Sequence, residues 1–172
     1  GYPEGKRTAE ALCCAYEKAF DTDTVTVRLC RIYGPTMAGE DSKALAQFIK
    51  NAVNGENIVL KSDGSQFFSY CYATDAATAI LTAFLAGEKG GVYNVADQAS
   101  DLSLKELAGL VAEENGVEVV FELPNNTEKA GFSTATRAVL DASSLKELGW
   151  SPSEKIQTGI RKTVSLLKAG GL

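Results

Sequence analysis

Tyr2 and Lys6 stand four residues apart in Tyr2-Pro3-Glu4-Gly5-Lys6, and the chain runs on from them into Thr8-Ala9-Glu10-Ala11-Leu12. Side chains four apart on a helix share one face, so a phenol and an ammonium are set to meet over a substrate. A phenol serves as a proton acceptor where a neighbouring cation favours its ionised form. The spacing alone is common by chance, and its weight comes from the segments that follow. The chain has no histidine. That removes Ser-His-Asp and Cys-His catalysis and argues against a transition-metal centre. Acid-base chemistry then falls to tyrosine, lysine or carboxylates. Cys13, Cys14, Cys30 and Cys71 lack the spacing of a zinc site and read as buried reduced thiols of a cytoplasmic protein.

The elements that must position this pair follow from pattern. A helix is expected from Pro3 to Phe20, alanine-rich and with proline in its first turn, where N–H groups are spare. Thr24 to Ile32 reads as one buried strand, broken by Gly34-Pro35. Ser42 is the expected N-cap of a helix running through Asn54, and Gly55 ends it. Short strands are expected at Ile58–Leu60, Phe67–Tyr72 and Val92–Ala96, with a helix from Thr74 to Leu85 between the last two. Ser103 and Glu106 form a capping box for a helix ending near Asn115-Gly116. Val117 to Leu123 reads as a strand, 125–136 as polar turns, Ser143 to Leu148 as a short helix, and Ser153 to Leu167 as the last helix. Helices alternating with strands point to α/β architecture with parallel strands. Thr24–Cys30 (TVTVRLC) and Val92–Ala96 (VYNVA) look like members of a parallel sheet, and two such strands cannot make a covered sheet alone.

The 172 residues suit one domain or a large piece of one. Hydrophobic residues at 45% and charged ones at 23% are ordinary for a globular chain. A net charge of −5 argues against nucleic acid as partner. No apolar run is long enough to span a membrane, and no leader pattern is visible, so a cytoplasmic location is expected.

Together the Tyr-x-x-x-Lys helix, Arg31-Ile32-Tyr33-Gly34-Pro35, Asp63-Gly64-Ser65-Gln66, Tyr93-Asn94-Val95 and Leu148-Gly149-Trp150-Ser151-Pro152 resemble the C-terminal half of an extended short-chain dehydrogenase/reductase. The type is the NAD-dependent nucleotide-sugar epimerase/dehydratase, and the blocks cover nearly the whole chain. The resemblance implies a partial Rossmann-type parallel sheet plus a small mixed α/β substrate-binding domain. Residues 1–33 and 74–98 would be the Rossmann remnant, and 34–73 with 99–172 the substrate-binding domain. The family's Gly-x-x-Gly-x-x-Gly turn, which cradles the dinucleotide pyrophosphate, does not occur in this sequence. The chain therefore reads as a fragment whose dinucleotide-binding half is missing. NAD is expected in the full-length protein, and this fragment is not expected to hold it or to be active alone.

The resemblance also implies roles. Tyr2 takes a proton from a sugar hydroxyl while hydride passes to NAD, and Lys6 holds the phenolate and the nicotinamide ribose. Lys43 falls where decarboxylases of the family bring an arginine to the cofactor phosphates. Arg31 replaces an asparagine near the substrate and is open to two readings, a ligand for a substrate carboxylate or phosphate and a salt-bridged structural residue. Arg137, four before Asp141, stands where an arginine clamps the nucleotide-sugar diphosphate. Phe68 stands where another diphosphate arginine is usual, which shifts that grip towards Arg31 or Lys61. Asp75, Asn94 and Trp150 read as structural.

The reaction implied first is that of a sugar 4,6-dehydratase working through a 4-keto intermediate on a nucleotide-diphosphate sugar, with UDP-glucuronate decarboxylase or 4-epimerase as alternatives. A non-catalytic nucleotide-sugar-binding or dimerisation module is the alternative of another class. A homodimer or a self-associating fragment is expected, since Ala9, Leu12, Cys13, Tyr16 and Phe20 offer an apolar helix face.

Overall fold

The computed structural model describes residues 1–37, 39–122 and 135–170. Helix α1 (Tyr2–Phe20) leads into strands β1 (Thr26–Leu29) and β2 (Arg31–Tyr33), then α2 (Ala44–Asn54), β3 (Ile58–Leu60) and β4 (Phe67–Tyr72). Next come α3 (Ala73–Ala86), β5 (Val92–Val95), β6 (Asp97–Ser103), α4 (Leu104–Asn115) and β7 (Val119–Phe121). Strand β8 (Arg137–Ala138), α5 (Ser143–Glu147) and α6 (Ile156–Gly170) complete the described elements. The result is the expected α/β class.

The expected single strand over Thr24–Ile32 is two strands. β1 runs parallel to β5, with Thr26 opposite Val92 and Leu29 opposite Val95. The Cys30 N–H donates to the Val95 carbonyl at 3.0 Å. Beyond that bond the chain leaves β5, and β2 runs parallel to β4 with Arg31 opposite Tyr70. β4 is the centre of its sheet: it pairs antiparallel with β6 and parallel with β8. Strand β3 pairs separately and parallel with β7.

Two buried clusters follow from this split. The first, under β2, β4 and β3, gathers large side chains including Tyr33, Phe48, Ile49, Leu107, Val111 and Ile160, closed over by α2, α4 and α6. Gly159 lets α6 lie on Tyr33, because a Cβ there would collide with the Tyr33 hydroxyl. That hydroxyl donates to the Ile156 carbonyl at 3.4 Å. The second cluster is built largely of small residues: Ala76, Ala79 and Ala83 of α3, with Val95, Leu145 and Trp150. Helix α1 belongs to neither and has no buried residue.

Several boundaries differ from expectation for local reasons. Lys43, not Ser42, is the N-cap of α2, because Asp41 Oδ1 accepts the Lys43 N–H at 2.9 Å and ends the preceding turn. Tyr72, not Thr74, occupies the N-cap of α3. Helix α6 starts at Ile156, because Ser153 Oγ and the Glu154 N–H instead donate to the buried Asp75 carboxylate at 2.7 and 2.9 Å. The Ser103–Glu106 capping box forms as expected. Strand β6 was not expected. The polar turns read over 125–136 fall outside the described residues up to 134. All four cysteines are free; Cys71 is buried and Cys30 and Cys13 are partly so, but Cys14 is exposed.

Candidate functional site

Tyr2 and Lys6 occupy the first turns of α1, which opens with the Gly5 N–H donating to the Gly1 carbonyl at 3.0 Å. Lys6 Nζ lies 5.3 Å from the Tyr2 ring centroid, a cation–π contact on one helix face. Both side chains are exposed, Tyr2 to 79%. The helix is tethered by charge rather than by apolar burial. Arg28 of β1 grips Glu10 through two bonds of 2.8 and 2.7 Å. That grip holds the Glu10 carboxyl below the usual carboxylate range and the Arg28 guanidinium above its own. Thr24 Oγ1 donates to Glu17 at 3.2 Å, and Lys89 pairs with Asp21 at the helix end.

The other candidates divide between the two faces of the β4 sheet. Successive side chains of a strand point to opposite faces. Arg31 is registered opposite Tyr70 and lies over Phe68, its guanidinium carbon 3.3 Å from the ring centroid. Arg137 is registered opposite Phe67 and lies over that ring at 4.9 Å. Arg31 and Arg137 therefore leave the sheet on opposite faces. Of the two readings of Arg31, the salt-bridged one lacks a partner: among the described residues no carboxylate lies within 4.0 Å of it, whereas Arg7, Arg28 and Arg161 each pair with a glutamate. Burial presses the Arg31 guanidinium below its ordinary value, while Tyr70 and Cys30 pull the other way.

Lys43 is set apart from both groups. Its side chain is exposed at the start of α2, 3.8 Å from Asp41. Asn94 Nδ2 donates to the Asp141 carbonyl at 2.9 Å, tying β5 to the segment before α5. The Trp150 indole N–H donates to the Asp75 carbonyl and to Thr78 Oγ1, each at 3.2 Å. Two clefts of about 200 and 390 Å³ lie elsewhere, the first beside α2 and Leu167, the second between Asp97 and Gln157. None of the five sequence-predicted site residues lines either.

Two polar groups beside the arginines went unread in the sequence. Tyr70 is 0% exposed, and its hydroxyl has no hydrogen-bond partner among the described residues; one Asp101 carboxylate oxygen is likewise buried and unpartnered. Burial pushes the Tyr70 phenol up to about 12, although Arg31 beside it pulls down. Burial also raises the Asp101 carboxyl; Ser69 draws it down, Asp97 pushes it up, and Arg137 opposes. The signal for Tyr70 lay in period-two alternation: Phe68, Tyr70 and Tyr72 share one face of a strand.

The parallel β1–β5 and β2–β4 pairs with α3 between them define a Rossmann-type α/β chain. It belongs to the NAD dependent epimerase/dehydratase family, whose model matches residues 1–96 and so includes Tyr2, Lys6 and Arg31. UDP-glucuronic acid decarboxylase 6 of Arabidopsis thaliana is 29% identical over 160 residues, covering 92% of this chain and 45% of the relative. A trifunctional UDP-glucose 4,6-dehydratase/UDP-4-keto-6-deoxy-D-glucose 3,5-epimerase/UDP-4-keto-L-rhamnose-reductase of the same plant is 32% identical over 171 residues, covering 95% and 24%. Among solved structures, UDP-glucose 4-epimerase of Thermotoga maritima superposes with a TM-score of 0.84 at 22% identity, over 96% of this chain and 52% of its own. The dTDP-glucose 4,6-dehydratase of Streptomyces venezuelae, solved with NAD bound, gives 0.81 at 23% identity, over 98% and 51%. The chain spans about half the length of these structures and of the decarboxylase.

Proposed function

We propose that this chain is the catalytic-tyrosine and substrate-binding portion of an NAD-dependent nucleotide-sugar enzyme, most closely a sugar 4,6-dehydratase. The observation that carries the reading is the Tyr2–Lys6 pair, 5.3 Å from ammonium to ring centroid on one exposed helix turn, within the stretch matched to the family. Tyr2 acts as the phenolate that the neighbouring Lys6 ammonium favours, and it becomes the neutral phenol on taking the proton of a sugar hydroxyl. Tyr2 and Lys6 would face the nicotinamide end of NAD, which would supply a hydride acceptor for the carbon that bears that hydroxyl.

The fit of this chain to NAD is partial. Tyr2 and Lys6 are free to reach a nicotinamide end, and Lys43 is exposed enough to meet a phosphate. No Gly-x-x-Gly-x-x-Gly cradle for the pyrophosphate exists in the sequence. Arg31 and Arg137 are the proposed donors to the substrate's charged groups. The proposed division places 1–33 and 74–98 in the Rossmann part and 34–73 and 99–172 in the substrate part; the two separate clusters follow it in the main, with Tyr33 packed in the large-residue cluster and Leu145 and Trp150 in the alanine-rich one. A cytoplasmic enzyme that self-associates is part of the same reading. Its support is the set of free thiols and the exposed Leu12, Tyr16 and Phe20 of α1.

Decarboxylation is the second reading, favoured by the 28–29% identity to several UDP-glucuronic acid decarboxylases. Mass spectrometry separates the two. The full-length protein with NAD is expected to convert UDP- or dTDP-glucose with loss of water, and loss of carbon dioxide from UDP-glucuronate identifies a decarboxylase instead. Tyr2→Phe is expected to lower turnover by about 10²-fold or more, the scale of a lost acid-base group. Unchanged turnover in that variant overturns the assignment of Tyr2.

A further inference from the structure

We propose that Glu10 and Arg28 are positioning residues for the Tyr2–Lys6 turn: their two-bond fork fixes where along β1, and at what tilt, α1 presents its phenol and ammonium. The inference rests on the nucleotide-sugar reading, in which Tyr2 handles the proton, and adds to it the pair that aims Tyr2.

The need for such a pair lies in the make-up of α1. At about 100° per residue, Tyr2, Lys6, Glu10, Cys13 and Glu17 fall within one stripe about 80° wide. Within α1 only Glu10, Cys13 and Glu17 are partly buried; the rest of the helix is exposed. Two of these three are carboxylates, so the face that carries the chemistry is held down by directional polar bonds rather than by an apolar seam.

The holding points are unevenly spread. Thr24 Oγ1 donates to Glu17 at 3.2 Å, and Lys89 pairs with Asp21, both in the C-terminal half of the helix. In the N-terminal half Arg28 holds Glu10 through bonds of 2.8 and 2.7 Å. Among the described residues no other hydrogen bond or ion pair leaves the stretch Tyr2–Cys14; Arg7 and the Thr8 hydroxyl bond back to Glu4 of the same helix. Without Arg28 the arm from Glu17 to Tyr2 is about 22 Å, and a tilt of about 5° swings the phenol by about 2 Å. A misplacement of about 1 Å is enough to slow a reaction by about 10²-fold. A planar guanidinium bonded twice to one carboxylate resists both sliding and tilting.

Arg28 is a firm anchor. It sits between two ladder bonds, the Thr26 N–H to the Gly91 carbonyl at 2.9 Å and the Cys30 N–H to the Val95 carbonyl at 3.0 Å. Its cross-strand neighbour Asn94 is held in turn by the Asp141 carbonyl. Helix α1 runs back along β1, with Glu17 at Thr24 and Glu10 at Arg28. Seven helix residues, about 10 Å, thus match four strand residues, about 13 Å. Carried on at that pace, Tyr2 comes level with the chain about four residues past Arg28, on β2 beside Arg31. The fork therefore brings the proton handler level with a proposed substrate arginine. Its role is separable from stability, because the two side chains are 52% and 32% exposed and such pairs add little to folding.

Steady-state kinetics of the full-length protein with NAD tests the pair, with urea denaturation alongside. Glu10→Gln and Arg28→Gln are each expected to lower kcat about tenfold or more, with KM for the nucleotide sugar and the urea midpoint unchanged. Glu10→Arg sets two guanidiniums face to face and is expected to be the slowest variant; adding Arg28→Glu to it is expected to recover most of the rate. Arg28→Lys, which keeps the charge but not the fork, is expected to fall between Arg28→Gln and the parent. A merely structural pair lowers the urea midpoint and leaves kcat at the parent value, and that result overturns the proposal. So does a loss of kcat that exchanging the two charges fails to recover. If the parent shows no turnover, or Tyr2→Phe keeps all of it, the functional reading fails and hydrogen exchange decides the anchor by itself. Faster exchange over residues 9–14 in Glu10→Gln, with 17–20 unaffected, upholds the anchor; identical exchange in both stretches removes it.

Discussion

The region around β4 and the region around β1 solve the same packing problem differently. Strands β2, β4 and β3 are covered by α2, α4 and α6, and the side chains between them are large and almost wholly buried. Among the described elements α3 and α5 are the main cover of the β1–β5 pair, and its cluster relies on three alanines of α3. Helix α1 touches it through ion pairs, and Leu81, Phe84 and Leu85 of α3 are more than half exposed. The first region closes its own apolar surface. The second leaves apolar faces in water, the pattern of a surface made to be covered.

That contrast can be broken by mutation, in descending order of effect. Leu107→Ala, in the closed region, is expected to cost about 2–5 kcal/mol in urea denaturation, whereas Leu12→Ala on α1 should stay within about 0.5 kcal/mol. Comparable losses at the two sites would mean that α1 is buried in solution. Asp75→Ala removes the acceptor of Ser153 Oγ and the Glu154 N–H, strands two donors between the regions, and is expected to cost about 1–3 kcal/mol. Ser103→Ala deletes the capping box of α4 and should cost about 1 kcal/mol, read from the same urea midpoint.

The smallest effect depends on pH. Burial raises the Asp101 carboxyl above its ordinary range, so folding favours its neutral form. Its contribution is complete below the unfolded value near about 4 and is lost as pH climbs through the raised folded value. Asp101→Asn should therefore match the parent in acid and become the more stable chain towards neutrality. A constant difference across that range would show that Asp101 is not the group responsible.

Much of this fold is legible in the sequence, for identifiable reasons. β-branched Thr26-Val27 and Val92 marked their strands, and Ser103 with Glu106 marked the start of α4. Strand β6 was not legible because Asp97-Gln98-Ala99-Ser100-Asp101-Leu102-Ser103 is polar; it is held by pairing with β4 rather than by its own propensity. The break at Cys30 was equally silent, since nothing in Leu29-Cys30-Arg31 tells a strand to change partners. At the candidate site, Tyr2 and Lys6 could be read from spacing. The stacking of Arg31 on Phe68 and of Arg137 on Phe67 depends on cross-strand register, which only the folded sheet supplies.

The single tryptophan gives the molecule its own optical probe. Trp150 is 5% exposed, and its indole bridges the segment before α6 to the first turns of α3. Its fluorescence should be blue-shifted in the native chain and move to longer wavelength when that segment peels away from α3. Opening of the sparsely packed region thus carries a spectroscopic signature distinct from global melting followed by circular dichroism.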